Sequence, residues 1–201
     1  MGVESELPAP AYRYALLIDG RVYYYAELFW KDAADEVYVR NGRGPLCVDE
    51  NVLDADLADA GIDWGDGPEI SQIVDVDRAL AVVDLSLAGE DIDVAWTVWN
   101  GFEDLMPALG LPFGFRGRIA NRCYDKLFYG LNLECITPPG EHYVPVWRPR
   151  EITKMKQVMR TGAERLRVAV ADLKAGAAPR ETLWRDHRIA DTDGFISKPW
   201  P

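Results

Sequence analysis

YRYALLIDGRVYYY, Tyr12 to Tyr25, reads as two strands folded about Asp19-Gly20. Tyr12–Ile18 and Arg21–Tyr25 are dense in aromatic and branched side chains, the types that fit a pleated, half-buried surface. Asp-Gly supplies the positive φ angles of a tight hairpin turn, and Gly20 removes the steric cost a side chain would carry there. A second hairpin is expected to pair Glu36–Arg40 with Pro45–Val48 across Asn41-Gly42-Arg43-Gly44. Between the two hairpins, Ala26 to Asp35 suits either a strand extension or a short helix. Asp49–Gly61 has helical spacing at Leu53, Leu57 and Ala60, with Asp49 placed to cap it. Ile70–Val76 and Ala79–Leu87, rich in Val, Ile and Leu, read as further strands.

At Val94 the period changes. Ala95, Val98, Trp99, Phe102 and Met106 mark one face of a helix, with Asp91 or Asp93 as cap and Pro107 as stop. A second helix is expected over Arg118–Tyr129, lined by Ile119, Cys123 and Leu127 and ended by Gly130 in a left-handed conformation. Leu131–Trp147 reads as an ordered loop. The third helix should run from about Pro149 to Lys174, its core stripe being Ile152, Met155, Met159, Ala163, Leu166, Val170 and Leu173. Strands first and helices later predict an α+β fold: an N-terminal, antiparallel-rich sheet with hairpins, then about three packed helices. Residues 1–201 are expected to form one domain: mainly strands over 1–90, helices over 91–175, and over 176–201 an ordered tail packed on the body. Leu183, Trp184, Ile189, Phe195 and Trp200 would tie that tail down.

Charge is divided as unevenly as structure. From Asp49 to Asp104 stand sixteen acids and one base, Arg78, while the chain beyond Asp104 has sixteen bases and ten acids. With a net charge of −11, the molecule repels polyanions as a whole, which disfavours a general nucleic-acid binder. No apolar run approaches the roughly 18 residues of a membrane span, and the acid- and proline-bearing start lacks the pattern of a signal peptide. Cys47, Cys123 and Cys135 form no metal-type pair, and reduced thiols in a cytoplasm suit them best.

The acidic block has two readings. Asp54, Asp56, Asp59, Asp63 and Asp66 could meet a basic protein surface, even imitating nucleic-acid phosphates, or they could pair internally with basic residues nearer the C-terminus. Candidates for that pairing are the Arg118, Arg122, Lys126 stripe and Lys156, Arg160 and Arg167. The aspartate spacing fails a calcium loop, for want of a glycine and a distal glutamate, so no metal is expected. Phe113 and Phe115, between glycines, are candidate partner contacts. Catalysis has two routes: Cys135 with His142 and an orienting Glu134 or Glu141, or carboxylates such as Glu103, Asp104 and Asp125. His187 reads as a surface residue. No cofactor motif is present.

The expectation is therefore a non-enzymatic binding protein of inhibitor, immunity-like or adaptor type, with an acidic surface for a basic protein partner. A small enzyme using the Cys135/His142 loop or the helix carboxylates is the alternative. A subunit of a larger assembly is the third.

Overall fold

The Asp19-Gly20 turn closes the hairpin as expected. In the computed structural model, which describes residues 10–30, 34–40, 44–65, 67, 69–85, 87–178 and 180, both turn residues have positive φ, 51° and 67°. Strand β1 (Ala11–Ile18) pairs antiparallel with β2 (Arg21–Leu28), Ala11 opposite Leu28 and Ile18 opposite Arg21. The strand thus extends past Tyr25, and Glu27 belongs to it. Short β3 (Glu36–Val37) pairs with the end of β2, and β4 (Ile70–Asp75) pairs parallel with β1. The sheet is mixed, in the order β3-β2-β1-β4.

The expected second hairpin is not formed. Glu36–Val37 and Cys47 both pair with β2, at Leu28, Glu27 and Tyr24, in place of each other; the 41–43 turn lies outside the described residues. The outer edge of β2 satisfies both segments instead: Tyr24 and Cys47 exchange N–H and carbonyl bonds at 2.8 and 3.0 Å, and the Tyr38 N–H donates to the Ala26 carbonyl at 2.8 Å.

Both sheet faces are covered, which is why β1 and β2 read as almost continuous apolar runs. One face, with Tyr14, Leu16, Ile18, Tyr23 and Tyr25, belongs to the larger core. The other, with Ala15, Leu17, Val22, Tyr24 and Ala26, is closed by α1 (Glu50–Asp59) through Leu53 and Leu57. Asp49 caps α1 as expected, its carboxylate accepting from the Asn51 N–H at 3.0 Å.

Among the described residues five helices stand where about three were expected. Besides α1, the expected strand Ala79–Leu87 is helix α2 (Val76–Leu85), entered from β4 without a loop. The Asp75 carboxylate accepts from the Arg78 N–H at 2.9 Å and so starts the helix. Val76, Ala79, Val82 and Val83 form its buried stripe. The Asp77 carboxylate accepts from the N–H groups of Asp19 and Gly20, each at 2.8 Å, tying α2 to the hairpin turn.

Helix α3 (Glu90–Ala108) starts earlier than expected and carries Pro107 in its last turn. Gly89, at φ 56°, stands at its cap in place of Asp91 or Asp93, which lie within the first turn; Asp91 pairs with Arg78 at 4.0 Å. Helix α4 (Arg118–Gly130) includes Gly130 as its last residue, and the left-handed position falls to Asn132 at φ 52°. Asn132 earns that conformation with its side chain, which donates to the Gly130 carbonyl and accepts from the Tyr143 N–H.

Helix α5 (Pro149–Ala169) gives way to turns before Lys174. Met155, Met159, Ala163, Leu166 and Val170 are buried as expected, but Ile152 is 37% exposed and Leu173 is half-buried. Glu151 takes the inward place in the first turn, bonded to Lys126 at 2.6 Å, which rotates Ile152 outward. Gly162 lets α5 close on α3: a Cβ there would collide with the fully buried Phe102 ring. Beyond the helix, the Ala178 carbonyl accepts from the Val22 N–H and the Arg180 N–H donates to Gly20. The expected tail over 181–201, with His187 and its aromatics, lies outside the described residues.

Candidate functional site

The alternation of β2 puts Glu27 on the same face as Tyr23 and Tyr25, beneath the C-terminal half of α3. There a cleft of about 650 Å³ opens between the β2–β3 edge and that helix. Glu27, Asp35, Glu36, Glu103 and Asp104 line it together with Trp30, Tyr38 and several apolar side chains, and no base lines it among the described residues.

Glu27 is the floor of the cleft and only 7% exposed. Its carboxylate accepts a hydrogen bond from the Tyr14 hydroxyl, and no cation answers it among the described residues. Burial, and then the negative charge of Asp104, push its pKa up to about 8. Asp104 is raised to about 6, by partial removal from water and then by Glu103 and Asp35. Tyr14 and Tyr25 stack at 5.1 Å behind Glu27, and burial drives both phenols upward. The Tyr25 hydroxyl, wholly buried, has no hydrogen-bond partner among the described residues. On the rim, Glu103 accepts from the Trp99 indole at 3.4 Å, and the Tyr38 hydroxyl donates to the Asp56 carbonyl at 3.3 Å.

Several other acids pair with cations. Arg13, 3% exposed, bonds Glu50 at 2.7 Å and also Asp54, with its guanidinium 4.7 Å from the Trp64 ring centre. Asp56 bonds Arg40 at 3.0 Å. Asp75 pairs with Arg180, Asp84 with Lys156 and Arg160, and Asp19 with Arg167 and Lys174. Arg122 and Lys126 of the expected basic stripe pair with Glu151. Burial raises Glu151, but Lys126 and the Arg148 N–H outweigh it and leave the carboxyl below its ordinary value.

Of the acidic candidates, then, Asp54 and Asp56 are held internally, Asp59 and Asp63 are exposed, and Asp66 lies outside the described residues. Phe113 and Phe115 are half-buried; Phe113 stands 5.7 Å from Phe102 and 5.6 Å from Phe115. Cys135, His142, Glu134 and Glu141 are all exposed, and no hydrogen bond joins Cys135 to His142 among the described residues. Cys47 and Cys123 are buried thiols, each pushed up to about 11 by loss of water. No group of three or more His, Cys, Asp or Glu among the described residues is placed to hold a metal ion. No described helix is long and apolar enough to cross a membrane.

Glu103 and Asp104 were legible as a carboxylate pair beside tryptophans. Asp125 stands apart from them on α4, exposed. Glu27 was missed because Ala26–Asp35 suited either a strand extension or a short helix, and only the strand puts Glu27 in phase with Tyr23 and Tyr25. No family model matches this chain, and comparison with curated proteins and with solved structures gives no match either.

Proposed function

We propose that this protein works by binding, with the acidic cleft receiving a basic segment of a partner protein. The observation that carries the reading is Glu27: a buried carboxylate, open to a cleft with four other acids, that no base answers among the described residues. Elsewhere the molecule answers its enclosed acids with cations, as Lys126 does for Glu151 and Arg180 for Asp75. An uncompensated buried charge is costly, so Glu27 is held neutral until a cation arrives to share its site. Inhibitor, immunity-like and adaptor roles all use such a surface, and complementary charge would speed the encounter.

The test is calorimetric titration with an octapeptide of mixed Lys and Arg, against the parent and against Glu36→Lys with Asp104→Lys. Binding by the parent should weaken with salt, since screening shortens to about 3 Å at 1 M, and should vanish in the double reversal. Affinity indifferent to both would defeat the reading.

Acid–base catalysis at the same cleft is the second reading, favoured by one observation: Glu27 and Asp104 are raised by different amounts, to about 8 and about 6. It requires Glu27→Gln to abolish a turnover while the fold persists.

A further inference from the structure

Across the sheet from the cleft, the protein has already filled a site of the same composition with its own side chain. Arg13 lies between the carboxylates of Glu50 and Asp54 and over the Trp64 ring, nearly sealed from water. The cleft repeats those parts: carboxylates at Glu27 and Asp104, and aromatic rings at Trp30 and Tyr38. Glu27, on the floor of the cleft and nearly sealed from water, meets no cation among the described residues, and a carboxylate so placed points to a cation supplied from outside.

We infer that the cleft is built for an arginine side chain of the partner polypeptide, with its guanidinium between Glu27 and Asp104 and its plane against Trp30 or Tyr38. This rests on the binding function proposed above. Guanidinium has five donors in a fixed plane, enough for two carboxylates, and it stacks on aromatic faces. An ammonium has three donors on a point charge and holds its water more tightly, so lysine fits less well. The cleft volume, within the roughly 300–1,000 Å³ of ordinary ligand sites, leaves room for backbone on either side of the arginine.

The experiment titrates the full chain at pH 8.5 with three blocked tripeptides, Gly-Arg-Gly, Gly-Lys-Gly and Gly-citrulline-Gly, following the indole N–H signals by NMR. The arginine peptide should shift the Trp30 indole and bind about threefold or more tighter than the lysine peptide. Citrulline, which keeps the shape and loses the charge, should not bind. Glu27→Gln and Asp104→Asn, each with an unchanged NMR fold signature, should weaken the arginine peptide by about tenfold or more. Asp63→Asn, outside the cleft, should leave it unchanged. Equal binding of arginine and lysine would overturn the guanidinium assignment and leave the binding function standing. Failure of both cationic peptides would remove the two together. Methylguanidine binding as well as the arginine peptide would overturn the polypeptide source.

Discussion

Glu27 shows how one side chain can make stability and binding oppose each other. Its pKa in the fold, about 8, lies above the ordinary value of 4.5, so between those limits the fold holds a proton that the unfolded chain releases. The resulting stabilisation is intact below about pH 4.5 and is lost as pH climbs through about 8, at up to about 1.4 kcal/mol per unit. Glu27→Gln keeps the neutral shape at every pH. Urea unfolding should therefore find the variant gaining on the parent from pH 5 to pH 8.5, and a constant difference would show that Glu27 ionises freely. Binding runs the other way, because a cation prefers the ionised carboxylate. Affinity of the parent for the basic octapeptide should rise with pH, through about 6 as Asp104 ionises and again through about 8. A flat profile would remove both groups from the site.

At the scale of elements, legibility depended on length and on the presence of an unambiguous stop. Helix α5 was readable because its apolar stripe runs through several turns, whereas Ala79–Leu87 was too short and too uniformly branched to separate strand from helix by period. What decides α2 is Asp75, whose carboxylate caps the helix from the last position of the strand before it. The outward turn of Ile152 was hidden for another reason. A charged Glu151 reads as a surface residue until Lys126, on a different helix, is known to reach it.

The α3–α5 crossing was equally invisible, since Gly162 inside a helical stripe looks like a weakness. It is a contact. Gly162→Ala should gain about 1 kcal/mol of helix propensity and lose about 1–3 kcal/mol by displacing the Phe102 ring. Thermal unfolding should show a net loss that Phe102→Leu recovers in part; a stabilised single variant would mean the crossing has slack.

For the whole molecule, the uneven charge along the chain becomes a set of long-range ties. Asp84 meets α5, Asp75 meets Arg180, and Asp19 meets Arg167 and Lys174. The sequence-level choice between internal pairing and an exposed acidic face resolves into both, at different places. Composition could show that the acids outnumber the bases, but not which acids would be left over. Tertiary contacts gather five of them, Glu27, Asp35, Glu36, Glu103 and Asp104, at one cleft from three separate segments, and only Glu103 and Asp104 lie inside the acidic block.

The two hydrogen bonds from the hairpin turn to Asp77 have a kinetic consequence. The β1–β2 hairpin is local and can form early, yet the amides at its tip find their acceptor only when a segment nearly sixty residues downstream has docked. Exchange of the Asp19 and Gly20 amides with heavy water therefore reports the undocking of α2, though both sit on the surface. In the parent they should exchange together with α2 amides, slower than a free turn allows. Asp77→Ala should release them alone, leaving the strand amides slow. If the tip exchanges freely in the parent, the hairpin and α2 open independently.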